Sequence, residues 1–223
     1  MAAAGAFAEE WRTAALLPKL LMAIPALRRA PRGTGQVTIV IPGWQAPEAS
    51  MAPLKAYLQW LGHDVRHWGF GINEGKPERD ALRLGAVVAK LHSAGQPRVS
   101  LVGWSLGGVI AREIAREHPE AVRRVVTYGT PAIGGPSFTA AARAFGHVEC
   151  TRAAQLITAL DRDRPIVTPI TAIYTRRDRV VSWPACIDRV SRNCEHVEAA
   201  STHLGLGLDP AVWLAVADAL SVK

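Results

Sequence analysis

Short apolar runs and longer two-faced stretches alternate along this chain. The first clear run is Val37-Thr38-Ile39-Val40-Ile41, closed by Pro42-Gly43. A β-branched run without polar alternation reads as a strand buried on both faces, as in a parallel sheet. Residues 49–61 read as a helix that ends at Gly62, a C-cap position. His63 to Trp68 reads as a second strand. Residues 69–77, with three glycines and a proline, read as a loop. The pattern then predicts a helix over 77–94, a strand over 98–102, and a helix over 107–117 stopped by Pro119. Further strands are expected at 124–128, 170–174 and 195–200, and a last helix at 210–220. Residues 132–168 are less regular, with a helical middle over 138–160.

Strands alternating with helices imply βαβ units. The expected fold class is therefore α/β, with a mainly parallel sheet of about six strands flanked by helices and right-handed crossovers. In such sheets ligands bind beyond the carboxyl ends of the strands, so chemistry is sought just after strands and not inside helices. There is no internal repeat, low-complexity tract or clear linker. Residues 34–223 are read as one domain and residues 1–33 as an N-terminal amphipathic helical appendage. Within the appendage, residues 6–29 form one or two helices that pack on the domain or rest on a membrane surface, with packing preferred. The apolar stretch Leu16 to Leu27 is interrupted by Pro18, Lys19 and Pro25 and is too short to span a bilayer. Glu9, Glu10 and Arg12 precede it where a signal peptide would carry basic residues, so a cytoplasmic location is expected.

Bulk properties narrow the partner classes. A chain of 223 residues with 49% hydrophobic and 20% charged residues is an ordinary globular protein, not a disordered one. The net charge of +7 comes largely from scattered arginines, clustered only in pairs such as Arg28-Arg29, Arg123-Arg124 and Arg176-Arg177. Aromatics do not interleave with them as in a nucleic-acid module, so no nucleic acid is expected, while a peripheral membrane contact stays open. No H-E-x-x-H, P-loop or C-x-x-C pattern occurs, and no metal or cofactor is expected. Among Cys150, Cys186 and Cys194, the last two are close enough in sequence to bridge; a disulfide there would argue for export, reduced thiols for the cytoplasm.

The chemistry concentrates in Gly103-Trp104-Ser105-Leu106-Gly107, a G-x-S-x-G pattern between a strand and a helix. A serine on so tight a turn exposes its hydroxyl at the top of the sheet, and the glycines leave room for neighbouring backbone. A serine hydroxyl needs a base. His203 follows the sixth strand in a loop and is the expected base; His196 lies within that strand and reads as structural. The acid expected to orient His203 is Asp178, in the turn beyond the fifth strand, with Asp161, Asp163 and Asp188 as rivals. Two N–H donors are needed for an oxyanion. The expected ones are Leu106, next to the nucleophile, and Trp44, after Gly43.

These segments, taken in order, resemble the small bacterial esterase/lipase branch of the α/β-hydrolase superfamily. The similar stretches are Ile39 to Trp44, Val102 to Gly108, Tyr128 to Pro131, Tyr174 to Asp178, and Thr202 to Gly205 with Asp209-Pro210. The resemblance covers residues 36–222 and implies an α/β-hydrolase fold, a Ser105–His203–Asp178 triad and acyl transfer through an acyl-enzyme. Pro42-Gly43 stands where many lipases have His-Gly, and residues 132–169 offer only a small lid. Trp44, Trp104, Leu106, Ile133, Phe138 and Phe145 are the expected lining of an apolar acyl pocket. The implied activity is hydrolysis of a small-molecule or lipid ester with an apolar acyl part. Phospholipase, thioesterase or amidase action at a membrane, or a non-catalytic binding role, are the alternatives.

Overall fold

The computed structural model describes residues 16–142 and 146–222. One sheet holds β1 (Val37–Ile41), β2 (Asp64–His67), β3 (Val99–Trp104), β4 (Val122–Tyr128), β5 (Ile170–Tyr174) and β6 (Cys194–Glu198). The strand order is β2-β1-β3-β4-β5-β6 and every neighbouring pair is parallel. All five residues of β1 are buried, as its unbroken apolar run requires.

Helices cover both faces: α1 (Leu16–Arg29), α2 (Ala52–Trp60), α3 (Pro77–Ser93), α4 (Leu106–Glu117), α5 (His147–Asp163) and α6 (Pro210–Ser221). The two-residue alternation of strands divides the core. Val40, Val102, Val126 and Ile173 pack with Leu58 of α2, Val212 and Val216 of α6 and Leu27 of α1. Ile39, Ile41, Leu101 and Val125 face the other way, towards Leu84 and Val88 of α3 and Ile110 and Ile114 of α4. β1 has β2 on one side and β3 on the other, so the chain reverses direction across the sheet there. The loops leaving β1 and β3 consequently flank a crevice at the carboxyl edge.

Residues from 16 onward pack on this body. Leu27 and Ala30 are buried, and the Tyr57 hydroxyl donates to the Leu27 carbonyl at 3.1 Å. Lys19 Nζ lies 2.6 Å from Asp209 Oδ2, and Asp209 Oδ1 caps α6 by accepting from the Ala211 N–H. The part of the expected N-terminal helix before residue 16 lies outside the described residues. Among those described, no helix is long and apolar enough to cross a membrane.

Most expected elements recur with ends moved by a residue or two. The helix expected over 138–160 does not. A short 3-10 turn spans Gly135–Phe138, Thr139 is extended, and α5 starts only at His147. Tertiary pairing explains the difference. Thr139 bridges Val181, the Ala140 N–H donates to the Val180 carbonyl, and the Ser182 N–H donates to the Phe138 carbonyl. Residues 138–140 are thereby stretched along the turn that carries Asp178. The cysteines are also settled: Cys186 and Cys194 form no disulfide, and both thiols are free. Burial, assisted by the charge of Asp178, pushes the Cys186 thiol up to about 12, which makes it a poor nucleophile.

Candidate active site

Between the last residue of β3 and the first of α4 stands Ser105 alone. Its backbone has φ 52° and ψ −119°, a strained conformation for a residue with a side chain. Three hydrogen bonds hold it there. The Ser105 N–H donates to the Tyr128 carbonyl (2.9 Å), the Thr130 hydroxyl donates to the Ser105 carbonyl (2.9 Å), and so does the Gly108 N–H (3.0 Å). The flanking glycines are required by contact: a Cβ on Gly103 would run into the backbone of Gly107 and Gly108, and one on Gly107 into the carbonyl oxygens of Ile41 and Pro42. The strand, the helix and the β1 loop meet too closely for any side chain.

Leu106 opens α4, whose first N–H groups have no acceptor within the helix and carry the positive end of its dipole. On the other side of Ser105 the β1 loop passes close. A Cβ built on Gly43 would sit 3.4 Å from Ser105 Cβ, and Trp44 follows directly. Gln45 comes next with φ 57°.

His203 arrives from the loop after β6. The Ala199 N–H donates to the Tyr174 carbonyl (2.8 Å) and the Thr175 hydroxyl to the Ser201 carbonyl (2.7 Å), so this loop is tied to the end of β5. The imidazole lies beside the Trp104 ring, centroids 6.0 Å apart. Its Nδ1 is 2.7 Å from Asp178 Oδ2, and the two side chains are only 4% and 1% exposed. The other oxygen of Asp178 accepts from the Val180 N–H (2.9 Å) and the Val181 N–H (2.7 Å). The carboxylate therefore has one oxygen held by backbone and the other committed to the histidine. Asp188 instead pairs with Arg112, Asp161 with Arg116 and Asp163 with Arg162. The Nε2 of His196 accepts from the Asp188 N–H at 3.0 Å, away from Ser105.

Ser105, His203, Trp44, Trp104 and Leu106 all line one cavity of about 680 Å³. That volume falls within the usual range for small-molecule sites. The cavity follows Leu106, Val109, Glu113 and Glu117, a spacing that puts all four on one face of α4. At 1.5 Å per residue that helix is about 18 Å long. Leu82 of α3 and Ala153, Leu156, Ile157 and Leu160 of α5 form the facing walls, and Pro131, Val180 and Val181 line it further. Most of the wall is apolar. Towards the C-terminal end of α4, Glu113 pairs with Arg116 at 3.1 Å and Glu117 with Arg164 at 2.8 Å, and Glu78 and Glu149 also line the cavity. Arg116 also pairs with Asp161 at 2.7 Å and donates to the Leu160 carbonyl at 3.1 Å, fastening the end of α5 to α4.

Two residues expected in the pocket are elsewhere. Ile133 is joined through its N–H to the Ala185 carbonyl, and Phe138 lies half-exposed beside Gly134; neither is part of the cavity wall. Phe145 lies outside the described residues. Sequence reasoning missed Val109, although helical spacing from Leu106 points to it. It also missed Leu82, Ile157 and Val181, which come from elements whose docking leaves no local signal. Among the described residues, no group of three or more His, Cys, Asp or Glu side chains could hold a metal ion.

Comparison with known proteins agrees with this architecture. Residues 69–147 match a family model described as the alpha/beta hydrolase fold. Over 97 residues the chain is 32% identical to a pimeloyl-[acyl-carrier protein] methyl ester esterase of Shewanella woodyi, a match covering 43% of this chain and 36% of that protein. The chain thus spans about a third of the length of such relatives. Among solved structures, an esterase of Pyrococcus furiosus superposes with a TM-score of 0.61 at 17% identity, covering 84% of this chain and 82% of that one. A Butyrivibrio proteoclasticus protein with ferulic acid bound gives 0.63 at 15%, covering 83% and 86%.

Proposed function

We propose that this chain, which has the alpha/beta hydrolase fold, is a serine carboxylic-ester hydrolase acting on esters with an apolar acyl part. The observation that carries this reading is the pairing of His203 Nδ1 with Asp178 Oδ2 at 2.7 Å, in a cavity that also holds Ser105 on its strained turn. Asp178 can only accept, so Nδ1 carries the hydrogen and Nε2 is left to take the Ser105 proton.

Ser105 Oγ attacks the ester carbonyl as His203 removes its proton. The tetrahedral oxyanion then meets the N–H groups of Leu106 and Trp44. His203 returns the proton to the departing alcohol, leaving an acyl-enzyme on Ser105. Water, deprotonated by the same imidazole, releases the acid. Asp178 orients the ring and stabilises the imidazolium without itself taking the proton.

The mainly apolar lining of the cavity supports an alkyl acyl group, and the ion pairs of Glu113 and Glu117 towards the C-terminal end of α4 set a limit to its length. The Shewanella relative is named for a methyl ester, which fits a small alcohol facing the mouth of the site. Hydrolysis of p-nitrophenyl esters from acetate to palmitate, with Ser105→Ala in parallel, tests this reading. The expected result is an optimum at intermediate length and a fall to background in the variant. A folded wild type inactive on every ester would sink the ester-hydrolase reading. It would turn attention to thioesters, amides, phospholipids or a binding role.

A further inference from the structure

The loop that carries Trp44 has a second, buried support. Asn73 lies in the segment between β2 and α3 and is fully buried. Four of its hydrogen bonds are satisfied locally. Its side-chain Nδ2 donates to the Pro42 carbonyl at 2.9 Å. Its carbonyl accepts from the Gln45 N–H at 2.8 Å, and its own N–H donates to the Ala46 carbonyl at 3.1 Å. Its side-chain Oδ1 accepts from the Gly75 N–H at 3.1 Å. Three of these bonds bracket Gly43 and Trp44 from both sides.

What they hold is not a relaxed loop. Gln45 sits at φ 57°, a left-handed conformation that a residue with a side chain adopts only at a cost. Its N–H is fixed by Asn73. The same segment also shapes the place of the Trp44 ring. Gly75 has φ +83°, and a Cβ there would sit 2.7 Å from Trp44 Nε1, so the indole lies directly against its backbone. Both Trp44 and Gly75 line the cavity with Ser105.

We propose that Asn73 is a positioning residue for the oxyanion site, holding the Pro42–Ala46 turn so that the Trp44 N–H meets the developing oxyanion. The proposal rests on the ester-hydrolase reading above. A buried amide is well suited to this role. It donates to Pro42 and accepts from Gly75 at once, which neither a carboxylate nor a hydroxyl reproduces in the same shape. An oxyanion donor acts only in the transition state, so its displacement should lower kcat and leave KM alone.

The deciding variant is Asn73→Asp, which keeps the shape and all backbone bonds but replaces the donor facing Pro42, with Asn73→Ser as a second variant should the first fold poorly. Removing one oxyanion donor costs about 10²–10³-fold in kcat, and its displacement here is expected to cost roughly 10–100-fold. KM should stay within about twofold, as for a contact that does not bind the ground state. Inhibition by an alkyl boronic acid, which forms a tetrahedral adduct on Ser105, should weaken by the same factor as kcat. A merely structural residue would lower the melting temperature and leave both ratios unchanged. Folded variants with wild-type kcat and boronate affinity overturn the positioning role while the hydrolase reading stands. A wild type inactive on all esters overturns both together.

Discussion

Asp178 and Asp188 are built into the same kind of turn and face different bases, which under the proposed function gives them opposite uses. Each holds two consecutive backbone N–H groups on Oδ1: Val180 and Val181 for Asp178, Val190 and Ser191 for Asp188. Each points Oδ2 at a basic group 2.7 Å away, with both partners almost wholly buried. The partners decide the roles. Arg112 is permanently charged, so its pair with Asp188 is a fixed strut between α4 and the segment after β5. His203 offers an imidazole, a side chain suited to general acid and base work, so under the proposed reading the same turn beside it can serve a reaction. Backbone geometry alone does not separate a catalytic carboxylate from a structural one; the identity of the base it faces does.

Swapping each carboxylate for its amide separates the two roles most sharply. Asp178→Asn should lower kcat by about 10⁴-fold, roughly 5 kcal/mol of barrier, because the histidine loses the acceptor that fixes its tautomer. The unfolding free energy of this variant should move by only about 1–2 kcal/mol, the range for one altered hydrogen bond. Asp188→Asn should do the reverse. It leaves a buried guanidinium without its countercharge and should cost about 3–5 kcal/mol in urea unfolding, while the folded fraction keeps its kcat. A large kcat loss in the Asp188 variant and none in the Asp178 variant would exchange the two assignments.

The two aspartates also mark how far the sequence reaches. Asp178 is legible because it ends a strand pattern, Ile170 to Tyr174, and precedes a histidine loop in the expected chain order. Ser105, His203 and the strands are legible for the same reason: each signal lies within a few residues of what it describes. Arg112–Asp188, Lys19–Asp209 and Asn73–Pro42 are not, since each joins residues distant in sequence through one side chain. The segment between β4 and β5 shows the limit most clearly. Residues 138–140 read as the start of a helix by local pattern, yet the pairing of Thr139 with Val181 draws them out, and α5 begins at His147. Ile133 and Phe138 are natural candidates for the pocket because they are apolar and nearby in sequence, whereas the wall is made by Val109 and Ile157 on helices packed across it.

A smaller effect sharpens the strut assignment. Burial alone would push the Asp188 carboxyl up, but the adjacent Arg112 charge and the Ser191 N–H outweigh it and hold the group well below its ordinary 3.8. The folded value is thus depressed below the unfolded one. The resulting stability is fully present above about pH 5 and is lost as pH falls below 3.8 towards the folded value. Asparagine at 188 does not titrate. The stability gap between wild type and Asp188→Asn should therefore be constant from about pH 7 to 5 and then narrow by up to about 1.4 kcal/mol per pH unit. Urea unfolding of both proteins at about pH 6 and about pH 3 measures it. A gap that stays the same across that interval would mean that the Arg112 charge does not stabilise the carboxylate, and the fixed strut would lose its electrostatic basis.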